Sequence, residues 1–270
     1  MSAAQPISET LAAHTRAYAN TAAGNDAVFS HFTAQTLANP LLWRHRQYIE
    51  AHQLGFGDRA FHHLWLLILT AAAEKFPKAR CLEIGVFKGQ VISLWSLLSA
   101  QLGLPLEITA ISPLRGNPLI ASRFWRSLRQ RFDRRFRENL ANGNFYPEED
   151  YEGAIRRLFA AFDLNLAKVR LVRGFSNAPA PLDALRQDAF EVVYVDGDHS
   201  YEGVVSDLEN YGPKIVPGGW MVVDDASFYL PGSAFWKGHE AVSRACRRLD
   251  SLGFANVLNV GHNRVFQRVG

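Results

Sequence analysis

The sequence predicts an α/β fold built on one mostly parallel sheet that ends in an antiparallel hairpin. From Ala79 onward, short apolar or β-branched runs alternate with helical patterns, which is typical of βαβ units. The last two runs, 255–260 and 264–269, are separated only by Gly261-His262-Asn263, a sequence typical of a hairpin turn. The other five strands are expected near 80–84, 107–112, 169–173, 191–196 and 219–224. The predicted sheet therefore has seven strands.

Two helical regions accompany the predicted sheet. Residues 1–76 are expected to form a helical N-terminal extension, with helices near 11–23 and 61–73, and residues 77–270 to form the main domain. More than 50 residues separate the second and third strands, too many for a simple crossover. We therefore expect a helical insertion over about 113–166, with helices near 120–142 and 148–162. A last helix is expected over 239–252.

Composition excludes several classes of protein. Of the 270 residues, 48% are hydrophobic and 20% charged, which argues against a disordered or collagen-like chain. The longest apolar stretch, about ten residues from Leu64 to Ala73, is well short of the roughly 20 that span a bilayer. Met1 to Tyr18 lacks the pattern of a secretory signal, so we expect a cytoplasmic protein with no membrane partner. Cys81 and Cys246 form no C-x-x-C pair and are expected to be core thiols.

The first helix expected in the insertion is rich in arginine. Its apolar residues recur at a spacing of three to four and are Trp125, Leu128, Phe132, Phe136 and Leu140. Much of the remaining surface is taken by Arg123, Arg126, Arg129, Arg131, Arg134, Arg135 and Arg137. This pattern fits a solvated cationic face over a packed apolar stripe, or recognition of an acidic substrate, partner or anionic surface. The net charge of +3 is too balanced to indicate a nucleic-acid partner.

A glycine-containing turn follows the first strand, in the segment from Cys81 to Gly89. Gly85 and Gly89 would let the backbone pass close to a ligand, although a tight strand-to-helix connection would also explain them. The turn lacks the G-x-G-x-x-G pattern, which disfavours NAD. Glu83 suits a ligand that carries an ammonium group, such as S-adenosylmethionine, better than a pyrophosphate.

Paired acids follow the fourth and fifth strands. Asp196 and Asp198 end the fourth, and Asp224 and Asp225 end the fifth. Because ligands of open α/β sheets bind outside the carboxyl ends of the strands, these acids should converge on one crevice. Clustered carboxylates with no cysteine nearby favour Mg²⁺, Mn²⁺ or Ca²⁺ over zinc. The alternative is that these acids are solvated turn residues or helix caps, with Asp198 capping a helix that begins near Ser200.

Three motifs together resemble the class I S-adenosylmethionine-dependent methyltransferases, and within them the metal-dependent macrocin-type sugar O-methyltransferases. The motifs are EIGVFKG at 83–89, VDGDHSYE at 195–202 and PGGWMVVDD at 217–225. The resemblance covers about residues 79–268 and implies a Rossmann-like, doubly wound, seven-stranded sheet. It also implies transfer of a methyl group from S-adenosylmethionine to a hydroxyl of a small molecule, such as a sugar or another polyhydroxylated metabolite.

The resemblance implies roles for individual residues. The expected cofactor-binding residues are Glu83, Gly85, Val86, Phe87, Gly89, Ser112, Ser176 and Asp196. The expected Mg²⁺ ligands are Asp196, Asp224 and Asp225. Asp198 would be the general base, with His199 as the competing base. Two positions depart from the family pattern: Ser112 stands where an acid usually binds the ribose, and Phe87 where a third glycine is frequent.

Two other functions stay open on sequence grounds. One is a metal-dependent enzyme of another class, although no 2-His-1-carboxylate spacing supports an oxygenase. The other is a non-catalytic scaffold that docks an acidic partner through the arginine-rich insertion.

The helical N-terminal segment would cover the site or form the interface of a homo-oligomer.

An aromatic loop follows Asp225. Its residues Phe228, Tyr229, Phe235 and Trp236 would either wall a ring-shaped acceptor or pack against the N-terminal helices. His239, at the start of the next helix, is expected to be solvated or to cap that helix.

Overall fold

The structure is a computed structural model that describes residues 10–141, 143–230 and 232–269, with the side chain of Arg135 also outside the description. The expectation about a secretory signal falls partly on residues 1–9, which lie outside the described residues. Asn142, the expected end of the first insertion helix, also lies outside them.

One seven-stranded sheet organises the molecule, in the order β3-β2-β1-β4-β5-β7-β6. Its strands are β1 Ala79–Ile84, β2 Leu106–Ser112, β3 Val169–Arg173, β4 Phe190–Val195, β5 Ile215–Val223, β6 Phe254–Val260 and β7 Asn263–Arg268. The first five pair in parallel, and β7 lies antiparallel between β5 and β6. The predicted fold class, including the terminal hairpin, is confirmed.

Strand residues alternate between two hydrophobic clusters, one on each face of the sheet. On β4, Val192 and Tyr194 belong to the cluster that contains Trp65 and Trp95. Val193 and Val195 belong to the opposite cluster. Because side chains of successive strand residues point to opposite faces, a strand buried on both sides reads as a continuous apolar run.

Helices cover both faces of the sheet and build the two additional regions. The N-terminal extension forms α1 Leu11–Ala17, α2 Ala22–Ala38, α3 Pro40–His52 and α4 Ala60–Lys75. The insertion forms α6 Arg123–Phe132, α7 Arg134–Ala141 and α8 Tyr151–Ala161. The remaining helices are α5 Gln90–Leu102, α9 Pro179–Ala184, α10 Tyr201–Tyr211, α11 Glu240–Ala245 and α12 Arg248–Ser251. No helix in the described ranges is both long enough and apolar enough to cross a membrane.

The arginine-rich helix expected over 120–142 is in fact two helices. Asp133 ends α6 with an extended backbone, and its Oδ1 accepts a hydrogen bond of 3.0 Å from the backbone nitrogen of Phe136, which caps α7. Of the predicted apolar stripe, only Phe136 is buried. The expectation that the whole stripe is packed is therefore wrong.

Two further expectations were tested by the fold. The helix predicted over 239–252 is divided into α11 and α12. Cys81 and Cys246 are buried free thiols, which confirms the prediction of core cysteines.

Candidate active site

The carboxyl ends of the central strands open into one cavity of about 1570 Å³. Backbone hydrogen bonds fix these strand ends relative to one another. The nitrogen of Asp196 donates to the carbonyl of Ile84 at 2.8 Å, and that of Asp224 donates to the carbonyl of Val195 at 3.0 Å. All of the predicted site residues line this cavity except Gly89.

The glycines of the first turn serve the packing of the protein itself. A Cβ at Gly85 would lie 1.8 Å from the carbonyl oxygen of Asp196, so only glycine lets β1 and β4 end side by side. Gly89 has a φ of 90° at the N-terminus of α5, and a Cβ there would lie 3.0 Å from Ile155 of α8. The two glycines thus position the turn, and of the two only Gly85 also lines the cavity.

Phe87 has a φ of 46°, a left-handed conformation that costs a non-glycine residue about 1 kcal/mol. This is the position where a third glycine is frequent in the resembled family. The Phe87 ring lies among aromatic rings, with centroids 5.1 Å from Phe56, 5.5 Å from Tyr146 and 5.6 Å from Tyr151. We infer that these contacts hold the strained backbone and form a wall of the cavity.

Glu83 is buried at the floor of the cavity, with 1% of its surface exposed. Its Oε2 has no hydrogen-bond partner among the described residues. Burial, together with the charge of Asp196, raises the pKa of the Glu83 carboxyl well above its usual range. A buried carboxyl oxygen without a donor is suited to a ligand that brings one, and an ammonium group would supply both donors and the opposite charge.

Asp225 connects the acids to two segments beyond β5. Its φ of 53° turns the chain sharply after the strand. Its carbonyl accepts a hydrogen bond of 2.8 Å from the nitrogen of His239, and the nitrogen of Ala226 donates at 2.8 Å to the carbonyl of His262. These bonds bring the histidines at the end of the aromatic loop and in the β6–β7 turn to the acids.

Three histidines surround the three aspartates. Nε2 of His199 lies 3.4 Å from Oδ1 of Asp196 and 3.6 Å from Oδ2 of Asp225. Nε2 of His239 lies 3.5 Å from the same Asp225 oxygen. His239 is the N-cap residue of α11, but its side chain makes no capping hydrogen bond and is 17% exposed, so the expected capping by its side chain is not seen.

The third histidine links the N-terminal extension to the site. Nε2 of His262 lies 3.2 Å from Oδ1 of Asp224, and its Nδ1 lies 3.5 Å from Oδ2 of Asp58. Asp58 precedes α4, in the region where the sequence suggested no chemistry. The sequence did not identify Asp58, His239 or His262 as site residues. The only signal for them was the position of His262 within the predicted hairpin turn.

The charges of this cluster determine where protons reside. Burial and the charge of Asp224 raise the pKa values of Asp196 and Asp225. Burial also acts to raise the pKa of Asp224, but the positive charge of His262 outweighs it and lowers that pKa. For His262, burial is outweighed by Asp224 and Asp58, which raise its pKa to about 10. The acids repel one another, so a cation is favoured among them.

Two sets of side chains among the described residues could hold a divalent metal ion; they include the expected ligands Asp224 and Asp225 but not Asp196, whose role as a ligand stays a prediction. Asp224, Asp225 and His262 place their donor atoms within 4.8 Å of one another, and so do His199, Asp225 and His239. Carboxylate oxygens fit Mg²⁺, and imidazoles are also compatible with transition ions. The second set brings together two histidines and one carboxylate that are far apart in the sequence, an arrangement that no spacing in the sequence indicated.

The two candidate bases have different surroundings. Oδ1 of Asp198 accepts hydrogen bonds from the Asn144 side chain at 2.8 Å and from the nitrogen of Ser200 at 2.9 Å. Ser200, and not Asp198, caps α10, because its hydroxyl accepts from the nitrogen of Gly203 at 3.1 Å. His199 instead faces the aspartates.

Ser112 and Ser176 line the side of the cavity expected to hold the ribose. The hydroxyl of Ser112 accepts a hydrogen bond of 3.1 Å from the nitrogen of Leu114. The hydroxyl of Ser176 donates one of 2.5 Å to Oδ1 of Asp207. Both hydroxyls therefore retain part of their hydrogen-bonding capacity, and their contact with a cofactor stays a prediction.

The aromatic loop after Asp225 both packs and lines the cavity. Asp26 of α2 accepts hydrogen bonds from the nitrogens of Ser233 and Ala234 at 2.7 and 2.8 Å. The Phe235 ring lies 5.3 Å from Phe29 of α2 and also lines the cavity with Trp236. Both interpretations of the loop thus hold for different residues in it. Phe228 and Tyr229 are largely exposed and do not line the cavity.

Comparisons with known proteins agree with this architecture. A family model described as a methyltransferase domain matches residues 82–226. No curated protein matches the chain. Among solved structures, the O-methyltransferase NovP is similar with 20% identity and a TM-score of 0.55, covering 76% of this chain and 80% of its own. The calicheamicin methyltransferase CalS11 has 15% identity and a TM-score of 0.51, covering 94% and 96%.

A third similar structure is an O-methyltransferase from Bacillus cereus in complex with SAH, with 12% identity and a TM-score of 0.51, covering 86% of this chain and 91% of its own. At these identities the solved structures show a shared fold. The family match covers more than half of the chain and includes the first turn and all four strand-end acids. The chain therefore belongs to this family of methyltransferase domains.

Proposed function

We propose that the chain is an S-adenosylmethionine-dependent O-methyltransferase that methylates a small hydroxylated molecule, such as a sugar, with the assistance of a divalent cation. The observation that carries the proposal is the position of Oε2 of Glu83, a buried oxygen with no hydrogen-bond partner among the described residues, in the same cavity as three clustered aspartates. The first suits the ammonium of the cofactor, and the second suits a cation that binds the acceptor. The structures of NovP and CalS11, whose names describe O- and sugar methyltransferases, support the choice of acceptor.

The cofactor end of the cavity is built to hold a cationic amino acid moiety. Glu83 would accept its ammonium, and the turn from Gly85 to Phe87 would lie along it. Ser112 and Ser176 would contact the ribose or adenine from the ends of β2 and β3. Holding the sulfonium methyl at a fixed position beside the acceptor gives the rate advantage of proximity and orientation.

Asp196, Asp224 and Asp225 would hold a Mg²⁺ ion, which as a Lewis acid would lower the pKa of an acceptor hydroxyl. His262 would keep the Asp224 carboxylate oriented, since it lies between Asp224 and Asp58. The contacts favour His199 over Asp198 as the group that takes the acceptor proton. Asp198 is held by two donors on one oxygen, whereas Nε2 of His199 faces the aspartates.

The protonation state of His199 would depend on whether a cation is bound beside it. Burial acts to lower its pKa, but Asp196, Asp225 and Asp224 outweigh burial and raise it to about 9. A cation that neutralised these acids would remove the cause that raises this pKa and favour the neutral imidazole, the form that can act as a base.

The test is calorimetric titration of the protein with S-adenosylmethionine, S-adenosylhomocysteine and NAD⁺, each with and without Mg²⁺. We expect binding of the first two and none of NAD⁺. Absence of binding by either sulfur compound would overturn the proposal. For the cation, Asp224→Asn should abolish metal-dependent turnover while the fold is retained, and the exposed Asp163→Asn should leave turnover unchanged. An unchanged rate in Asp224→Asn would remove the metal from the mechanism.

A further inference from the structure

The helix pair α6–α7 carries a concentrated positive charge that the proposed reaction does not use. Residues 123–141 contain seven arginines and two acidic residues, a formal charge of +5, whereas the whole chain has +3. The rest of the chain is therefore net negative. A charge of this density on one segment gives the molecule a cationic side, which attracts anionic surfaces and orients the molecule toward them.

Helix α6 also exposes an apolar face. No residue of this helix is buried. Phe124, Trp125 and Phe132 are 69%, 56% and 72% exposed, and Leu128 is 38% exposed. At about 100° per residue, these four side chains fall within one arc of roughly 100° on the helix, and the arginines take positions on both sides of that arc. A ten-residue helix with no buried residue is marginal in water, so a surface that covers this face would stabilise it.

Contacts with α7 hold α6 at the rim of the cavity. Phe136 of α7 is buried, and its ring lies 5.4 Å from that of Phe145. The guanidinium of Arg129 lies 5.2 Å above the Phe136 ring, and both residues line the cavity. Whatever covers the apolar face of α6 therefore lies next to the cavity entrance.

The charges of α6 and α7 indicate what kind of surface can cover the apolar face of α6. A second copy of the same helix would bring two arginine-rich segments together, which is electrostatically unfavourable at such short range. The acids of the pair are already engaged, because Asp133 pairs with Arg129 at 2.5 Å and Glu138 with Arg134 at 2.7 Å. An anionic surface with an apolar layer beneath it satisfies the arginines and the aromatic face at once.

We propose that α6 docks the protein on an anionic lipid surface. Phe124, Trp125 and Phe132 enter the boundary between headgroups and acyl chains, and the flanking arginines contact lipid phosphates. A helix with aromatic and leucine residues on one face and basic residues on the other is the type that lies in the plane of such an interface. The sequence left recognition of an anionic surface open for this helix, whereas the lack of a spanning segment and of a signal pattern led to the expectation of no membrane partner, from which this proposal differs.

The test is co-sedimentation of the full chain with vesicles of phosphatidylcholine alone and of an equal mixture with phosphatidylglycerol. We expect binding to the mixed vesicles at low salt, loss of that binding as salt screens the arginines, and little binding to phosphatidylcholine. The double variant Trp125→Ser and Phe132→Ser should bind the mixed vesicles about ten-fold more weakly or worse. Leu37→Ser, which removes an exposed apolar side chain from α2, is the control.

A charge variant completes the design. Arg123→Glu with Arg131→Glu should abolish vesicle binding, whereas Arg157→Glu on the exposed surface of α8 should leave it unchanged. Thermal unfolding of each variant verifies the fold. Three results would overturn the proposal: no binding to mixed vesicles, equal binding by the double variant and the wild type, or a dimer in solution that the double variant dissociates. Because S-adenosylmethionine binding is measured separately, either proposal can fail alone.

Discussion

Asp207 of α10 provides a test of how burial controls a charge beside the cavity. Its side chain is 1% exposed, and its Oδ1 accepts the 2.5 Å hydrogen bond from Ser176. Burial raises the pKa of Asp207 to about 7, the Ser176 hydrogen bond opposes the rise and the charge of Asp198 adds to it. In the unfolded chain this carboxyl loses its proton near pH 4.

The sign of the effect on stability follows from the proton count. Between about pH 4 and pH 7, folded Asp207 keeps a proton that the unfolded chain has lost, so the native state binds more protons. The free energy of unfolding therefore falls as the pH rises through this window and levels off above it. A shift of roughly three pKa units corresponds to about 4 kcal/mol in total, as an order of magnitude.

The perturbation is Asp207→Asn. The amide oxygen can still accept from Ser176, but the titration is removed. Relative to the wild type, we expect the variant to gain about 2 to 3 kcal/mol in free energy of unfolding between about pH 5 and about pH 8. Urea denaturation at both pH values measures this difference.

Asp163→Asn is the control for this experiment, because Asp163 is exposed and burial plays no part there. Its effect on the free energy of unfolding should be the same at both pH values. If the difference between Asp207→Asn and the wild type is also independent of pH, the buried carboxyl does not titrate as described and the reasoning is refuted.

Three further predictions concern the core and the first turn. Glu83→Gln replaces a buried carboxyl, whose pKa is raised well above its usual range, with a neutral amide, so it should be about as stable as the wild type and yet bind S-adenosylmethionine about ten-fold more weakly in calorimetry; undiminished affinity would contradict its role. Gly85→Ala should lower the free energy of unfolding by about 3 kcal/mol or more, because its Cβ would lie 1.8 Å from the carbonyl oxygen of Asp196. Thermal unfolding measures this loss of stability, and a melting temperature equal to that of the wild type would contradict the predicted clash. Burial raises the pKa of the Cys246 thiol to about 12, and Cys81 is also buried, so a thiol reagent should modify both only in denaturant; fast labelling of the native chain would contradict this.

Much of the sheet was predictable from the sequence because its strands are buried on both faces. The predicted strand 169–173 coincides with β3, and most of the other predicted limits differ by one residue. The exception is β5, which begins at Ile215, four residues before the prediction. Ile215 pairs with Phe190 of β4 and Trp220 with Val192, so residues 216–219, which include Pro217 and two glycines, lie in the irregularity between these two pairs.

The insertion and half of the site were less predictable. The break at Asp133 depends on one side chain capping a backbone nitrogen, a local competition that apolar periodicity does not report. The four strand-end acids were identified because parallel strands carry their final residues to one edge. His239 and His262 reach that edge through the turn at Asp225 and the hairpin, and Asp58 reaches it from the segment before α4, and no periodic pattern encodes this geometry.

The route by which Asp58, His239 and His262 reach the aspartates restricts how this protein can be recombined with its relatives. The segment shared with the family, 82–226, contains the aspartates and His199 but neither Asp58 nor the two later histidines. A chimaera joined at those limits would inherit the acids without the imidazoles and the carboxylate that surround them. Functional exchange between such proteins therefore requires crossover points before Asp58 and after His262.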